Sequence, residues 1–248
     1  MAWSAHACAY YTEQGVESPP DASTGSDAGP AVNDATVEAS ADTGATPDPN
    51  AVGRGCAGRN PMPKLCFDFE SGLPPSLELR TEGCESLVVP NAEGGSYMRS
   101  SCTFAGEARV GYAETQLPPL VRVAWSGDLL LESIGSEPTE VAHVRLNDEQ
   151  HLLFTVDTDA LSLRLYNEAG SETVLGKVPK PRPQTWMNIG MVVSLIKGTV
   201  TAHVGDETID ATMPFASSSP NVKVAFGVTF SRGYAAVVGF DNVAIDYE

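Results

Sequence analysis

The chain has 248 residues, with 15 Lys and Arg against 32 Asp and Glu and a formal net charge of −17. That balance argues against nucleic acid and anionic membrane surfaces as partners, because both are polyanions. No apolar run approaches the roughly 20 residues of a membrane-spanning helix, while an apolar content of 42% is ample for a sizeable core.

Met1 to Ala7 lacks the basic stretch and the apolar core of a secretory signal. Ala5-His6-Ala7-Cys8 nevertheless resembles the end of a bacterial lipoprotein signal, with a small residue before a Cys and polar, Pro-rich sequence after it. Two readings stay open. Either Cys8 is a lipidation site in a chain whose start lies further upstream, with residues 1–11 the remnant of the signal, or it is a free thiol. Residues 12–55 are dominated by Pro, Ala, Asp, Ser, Thr and Gly, and between Thr12 and Ala51 the only branched apolar residues are Val16, Val32 and Val37. Such a segment cannot bury enough surface to offset its chain entropy, so the sequence predicts a disordered acidic linker leading into a folded domain over 56–248.

Assigning Cys8 to a lipid leaves Cys56, Cys66, Cys84 and Cys102 for two disulfides of an oxidising compartment. A hairpin through Glu85-Ser-Leu-Val-Val, the turn Pro90 to Ser96 and Tyr97-Met-Arg places Cys84 opposite Cys102 when it is centred on Glu93. Facing residues of an antiparallel pair lie within disulfide reach. Cys56 with Cys66 follows by elimination. No CxxC pair is present, which argues against a four-Cys zinc site.

From Leu65 onward the chain reads as short strands between turns. Phe67 and Phe69 share one side of the first, and Ser76 to Arg80, the Cys84 hairpin, Ala108 to Ala113 and Leu120 to Glu132 follow. A meander comes next, with Ala142, Val144 and Leu146, then Leu152, Phe154 and Val156, then Leu161, Leu163 and Leu165 as inward sets. Trp186 to Ile196 and Thr199 to Val204 are two further strands. The chain closes on a hairpin in which Val222, Val224, Phe226, Val228 and Phe230 share one parity. After its turn, Phe240 is even whereas Val243, Ile245 and Tyr247 are odd. One extra residue at Asp241-Asn242, a β-bulge, restores the facing. The fold class is all-β.

Gln184 to Leu195, the spacer Ile196-Lys-Gly198 and Thr199 to Glu207 resemble the tryptophan strand and following hairpin of laminin-G-like, concanavalin A-like jelly rolls. Cys66-Phe-Asp-Phe-Glu-Ser-Gly and Gly239-Phe-Asp-Asn-Val-Ala-Ile-Asp are similar to the first and last strands of such domains. The resemblance implies two packed antiparallel sheets, a two-sheet sandwich with its first and last strands adjacent. It also implies a family in which glycan binding, glycan cleavage and protein adhesion all occur.

Catalytic signatures are sparse. The Glu-x-Asp-x-x-Glu strand of this fold's retaining glycosidases is absent, as are HExxH, GxSxG, a P-loop and an EF-hand loop. Leu77-Glu-Leu-Arg80 resembles the arginine strand of alginate lyases, but their histidine and tyrosine motifs find no counterpart. No cofactor is expected beyond calcium, for which Asp241 and Asn242 at the bulge, or Asp157 and Asp159 at a hairpin tip, would supply oxygens. Two function classes follow. The favoured one is a noncatalytic, extracytoplasmic binding or adhesion domain of the cell envelope, taking a glycan or a surface protein. The alternative is a divergent glycan hydrolase or lyase. The ligand face follows from pairing Val144 with Phe154 and Phe154 with Leu163. The opposite side then carries three rows: His143, Thr155 and Ser162; Arg145, Leu153 and Arg164; and Asn147, His151 and Tyr166. Within them His143, Arg145, His151, Arg164 and Tyr166 are the candidate ligand-binding residues.

Overall fold

The computed structural model describes residue 56 and residues 62–92, 94–103, 108–147, 150–167, 171–213, 219–232 and 234–248. Cys8, the N-terminal remnant and the linker lie outside them. Among the described residues fifteen strands are formed: β1 Leu65–Phe67, β2 Glu78–Glu82, β3 Cys84–Pro90, β4 Ser96–Cys102, β5 Arg109–Gln116, β6 Arg122–Ile134, β7 Thr139–Arg145, β8 Gln150–Val156, β9 Ala160–Asn167, β10 Glu172–Pro179, β11 Trp186–Ser194, β12 Thr199–Val204, β13 Glu207–Thr212, β14 Lys223–Ser231 and β15 Ala236–Tyr247. Every ladder between them is antiparallel.

They form two sheets. The first runs β13-β12-β11-β6-β15-β4-β3, with β1 also on β15, and the second runs β10-β9-β8-β7-β14-β5-β2. The first strand therefore pairs with the last, as the resemblance implies. Between the sheets the inward side chains alternate with outward ones, so Val123, Trp125, Leu129, Ile189, Met191 and Val193 from one sheet meet Val144, Phe154, Leu163, Val224 and Phe226 from the other. Trp125 meets Phe154 edge-on at 5.9 Å between ring centroids, and Phe226 contacts Phe67, Phe69 and Phe240. These aromatic contacts tie β1 and β15 to the centre of the second sheet.

The bulge in β15 lies where the alternation requires it. Asp241 pairs with Asp128 but Ala244 pairs with Ser126, so one residue is inserted and Asn242 takes a positive φ of 51°. Phe240, Val243 and Ile245 all remain in the core as a result. The same point divides the neighbouring edge of β15, whose residues 236–240 pair with β4 and whose residues 243–245 pair with β1. Asn tolerates this left-handed conformation better than other non-glycine residues. Its Nδ2 donates to Asp128 Oδ2 at 2.8 Å, and Asn188 Nδ2 donates to Asp128 Oδ1 at 2.9 Å, so a carboxylate only 2% exposed has both oxygens satisfied.

The hairpin arithmetic holds for the cysteines. Cys84 pairs with Cys102 across β3 and β4, and both disulfides, Cys84–Cys102 and Cys56–Cys66, are formed. The meander differs from its expected register. Phe154 faces Leu163 as expected, but Val144 faces Leu152, not Phe154, because Leu146 N–H closes on Gln150 O and centres the turn one residue earlier, which slips the register by two. A two-residue slip leaves every side chain on its expected face and changes only its neighbours. Phe230 also departs from the expected inward set. A register shift between Val228 and Ser231 leaves it half-buried opposite Glu140, while Ser231 takes the inward place.

Replacing Asn242 by Ala is expected to cost about 2–3 kcal/mol, from left-handed strain and from a buried Asp128 oxygen left without its donor. Denaturant melts of the two proteins measure it, and an unchanged midpoint would show that neither effect matters.

Candidate functional site

The outward face of the second sheet collects the predicted residues, in rows set by the observed register. One row crosses Gln116, Lys223, Arg145, His151, Tyr166 and Glu172. The next crosses Glu114, Ala225, His143, Leu153 and Arg164. A third joins Phe230, Glu140, Thr155 and Ser162. Arg145 and His151 are therefore direct neighbours, and Asn147 falls outside β7 in the loop, where its Oδ1 accepts the Gln150 N–H.

Rings from four strands form a continuous track across this face. Tyr112 contacts His143 at 5.8 Å between centroids, His143 contacts His151 at 6.1 Å, and His151 contacts Tyr166 at 6.1 Å. On β14, between Tyr112 and His143, the outward side chains shrink to Ala225 and Gly227, which lets the two rings approach over the strand. Tyr166 is the most open ring, 37% exposed, and the other three are half-buried. Desolvation, with smaller contributions from His151, Arg145 and Lys223, pushes the His143 pKa down to about 3. Its imidazole is neutral at physiological pH and behaves as a flat, weakly polar surface. Burial, and then Glu114, raises the Tyr112 pKa, keeping its hydroxyl protonated. A row of neutral aromatic faces with hydroxyl and ring-nitrogen edges suits a ligand that has both apolar faces and hydrogen-bonding rims.

The cations on this face are largely committed. Arg164 donates Nε to Ser162 Oγ at 2.8 Å, Nη1 to Glu172 Oε1 at 2.6 Å and Nη2 to Asp157 Oδ2 at 3.0 Å. It clamps β9, β10 and the β8–β9 turn together, a role the sequence did not indicate because Asp157 and Glu172 come from a turn and an edge strand. Arg145 Nε donates to the Asn147 carbonyl. Lys223 and Arg80 both reach Glu114, and Arg80 also pairs with Glu78. Arg80 thus lies on the edge strand β2 in an ion-pair network. Beside Lys223 a cleft of about 370 Å³ opens between the sheets, lined among others by Leu65, Glu78, Glu114, Leu117 and Tyr247.

Glu140 is the residue that alternation misses. On even parity it would share the inward face with Ala142, but a register shift between the two turns it outward opposite Thr155. A Glu on an otherwise apolar inward parity is the signal that a bulge intervenes. Burial, then the nearby Glu172, raises its pKa to about 7 against the opposing pull of Arg164 and Arg232.

Asp241 and Asn242, the metal candidates, lie on the outward face of the first sheet. There the Asn242 backbone N–H donates to Asp241 Oδ1 at 2.7 Å and its Nδ2 reaches both Asp128 and Asp241, so an amide donor occupies the space between the carboxylates. Burial, with Asp128, Glu70 and Asp68 nearby, raises the Asp241 pKa to about 7. Among the described residues no group of three or more His, Cys, Asp or Glu is arranged to hold a metal ion. Asp157, at the other candidate calcium site, is the partner of Arg164.

No family model matches the chain, and no curated protein matches it in sequence. Solved structures do. A cellulose-induced protein, Cip1, is 16% identical over 73% of this chain and 96% of its own, with a TM-score of 0.56. A carbohydrate esterase from Shiga toxin-encoding bacteriophage phi24B is 13% identical over 75% of this chain and 98% of its own, at 0.55. The alginate lyase AlgAT5 of polysaccharide lyase family 7 is 10% identical over 65% of this chain and 82% of its own, at 0.51. The chain is a jelly-roll β-sandwich. At these identities the likeness is one of fold, while the two disulfides fit an extracellular location. No described helix is long and apolar enough to cross a membrane.

Arg164→Ala is expected to lower stability by about 1–3 kcal/mol, since it removes three hydrogen bonds from a largely buried guanidinium. Chemical denaturation reads this directly, and a loss below about 0.5 kcal/mol would show that the clamp is incidental.

Proposed function

We propose that this jelly roll is a noncatalytic carbohydrate-binding domain of the extracytoplasmic envelope, tethered through the N-terminal segment by a lipid at Cys8. The observation that supports the reading is the ring track Tyr112, His143, His151 and Tyr166, which crosses the second sheet with Tyr166 open to solvent. Sugar rings present apolar C–H faces flanked by hydroxyl rims, and an aromatic row with Arg145 and Gln116 beside it complements both. The laminin-G-like variant of the fold, in which loops and sheet faces serve adhesion, accommodates the same surface. Calcium is not required for this surface, whose side chains are aromatic, basic and amide groups.

Glycan-array screening of the wild type, Tyr166→Ala and His151→Ala tests the reading. Loss of Tyr166, the most exposed ring, is expected to weaken every positive glycan at least about tenfold, equivalent to about 1.4 kcal/mol, with little change in melting temperature because the ring lies outside the core and keeps a solvent-facing side. Equal binding by all three proteins would remove the track from the site.

A further inference from the structure

The third row of this face is left chemically incomplete. Thr155 is 2% exposed, and its Oγ1 is enclosed without a hydrogen-bond partner. Its neighbour across β7 is Glu140, a carboxylic acid whose electrostatic surroundings are Glu172, Arg164 and Arg232 and which receives no hydrogen bond from any described residue. On the other side Ser162 is already used, donating to the Thr155 carbonyl at 3.3 Å and accepting from Arg164. A hydroxyl buried without a partner is costly, and native proteins tolerate one chiefly where something else completes it; here the half-buried Glu140 carboxyl stands beside it. Arg164 is already engaged by Asp157 and Glu172, and Arg80 and Lys223 by Glu114, while Arg232, in the turn after β14, faces Glu140 itself.

We infer that Glu140 and Thr155 form the specificity subsite of the glycan-binding face, and that they select neutral sugars over uronic acids. The inference rests on the proposed carbohydrate-binding reading and names its ligand class. An ionised Glu140 accepts two hydroxyl protons from adjacent carbons of one sugar ring, as carboxylates do in bidentate contacts, while the Thr155 hydroxyl at the base of the site offers a donor and an acceptor. A sugar carboxylate placed there would face Glu140 and, one strand beyond Arg164, Glu172, while the one nearby cation outside the ion pairs, Arg232, is opposed by Glu140's own charge. The selection therefore works as much by repulsion of the wrong ligand as by attraction of the right one.

A pH dependence follows. The Glu140 carboxyl titrates near pH 7 in the free protein. Because the ligand requires its ionised form, binding takes up no proton above that value and must displace one below it, so affinity for a neutral glycan falls about tenfold between pH 8 and pH 6. The groups packed around Glu140 are Phe230 and Arg232 from β14 and the turn after it, Thr155 from β8, Arg164 from β9 and Glu172 from β10. His143, next along β7, remains neutral throughout this range.

Calorimetric titration with hexasaccharides of glucose, mannose, galactose and xylose, and with hexasaccharides of mannuronate, guluronate and glucuronate, at pH 6 and pH 8 decides the matter. At least one neutral hexasaccharide is expected to bind, more than about tenfold tighter than any uronate at pH 8, and about tenfold tighter at pH 8 than at pH 6. Glu140→Gln should abolish that pH dependence and narrow the preference against uronates. Thr155→Val, which removes a hydroxyl that has no partner in the free protein, should weaken neutral binding while holding or raising the melting temperature. A uronate that binds as tightly as the neutral sugars, or a pH dependence unchanged in Glu140→Gln, overturns the subsite and leaves the aromatic track standing. Failure of all seven sugars to bind overturns both.

Discussion

An inserted residue reverses the facing of everything that follows it in a strand, and three such insertions decide what this sandwich buries and what it presents. At Asp241-Asn242 the insertion keeps Phe240, Val243 and Ile245 all in the core and marks where β15 exchanges β4 for β1 as its neighbour. In β7, between Glu140 and Ala142, it sends a carboxylic acid outward that would otherwise lie among leucines and phenylalanines. In β14 the shift between Val228 and Ser231 moves Phe230 to the same outward level. The core is thus continuous and apolar because the strands are irregular at these points.

The two outward faces differ accordingly. On the first sheet, the polar groups satisfy one another: Asp128 is closed by Asn188 and Asn242, His203 Nε2 lies 2.8 Å from Asn188 Oδ1, and Tyr97 and Arg99 both reach Glu132. Tyr97 lies over Gly239, where a side chain would collide with its ring, and meets Trp186 edge-on at 5.3 Å. That face is a finished, internally bonded surface. The second sheet combines an open ring track with an unsatisfied Thr155 hydroxyl beside the outward Glu140 carboxyl, and its arginine clamp joins β9 to β10 and to the β8–β9 turn. Rigid strands make a more accurate platform for a ligand than loops do.

Period-two alternation carried most of the fold into the sequence. The β15 bulge, the Cys84 and Cys102 pairing and the meander's outward residues were all legible, because each follows from which side of a strand a residue occupies. Register is a different matter. Alternation cannot distinguish a pairing from the same pairing slipped by two, so it allows Val144 opposite Phe154 as readily as the Leu152 that a turn centred one residue earlier gives it. β10, whose residues 172–174 are exposed, and β13 show too little alternation to be read as strands. Arg164 reads as a ligand residue from its parity, whereas its actual partners, Asp157 and Glu172, are set by a turn and by that unread edge strand. Nothing in the sequence marks Tyr112, because the ring it meets lies across β14 and not beside it in the chain.

The central claim is that the outward face of the second sheet is where this protein meets its ligand. A crystal structure of the protein with a neutral oligosaccharide that binds it tests this most directly. The account predicts sugar rings stacked over Tyr166, His151 and His143, with a diol on Glu140. A sugar seated instead on the first sheet, beside Tyr97 and Trp186, would contradict it.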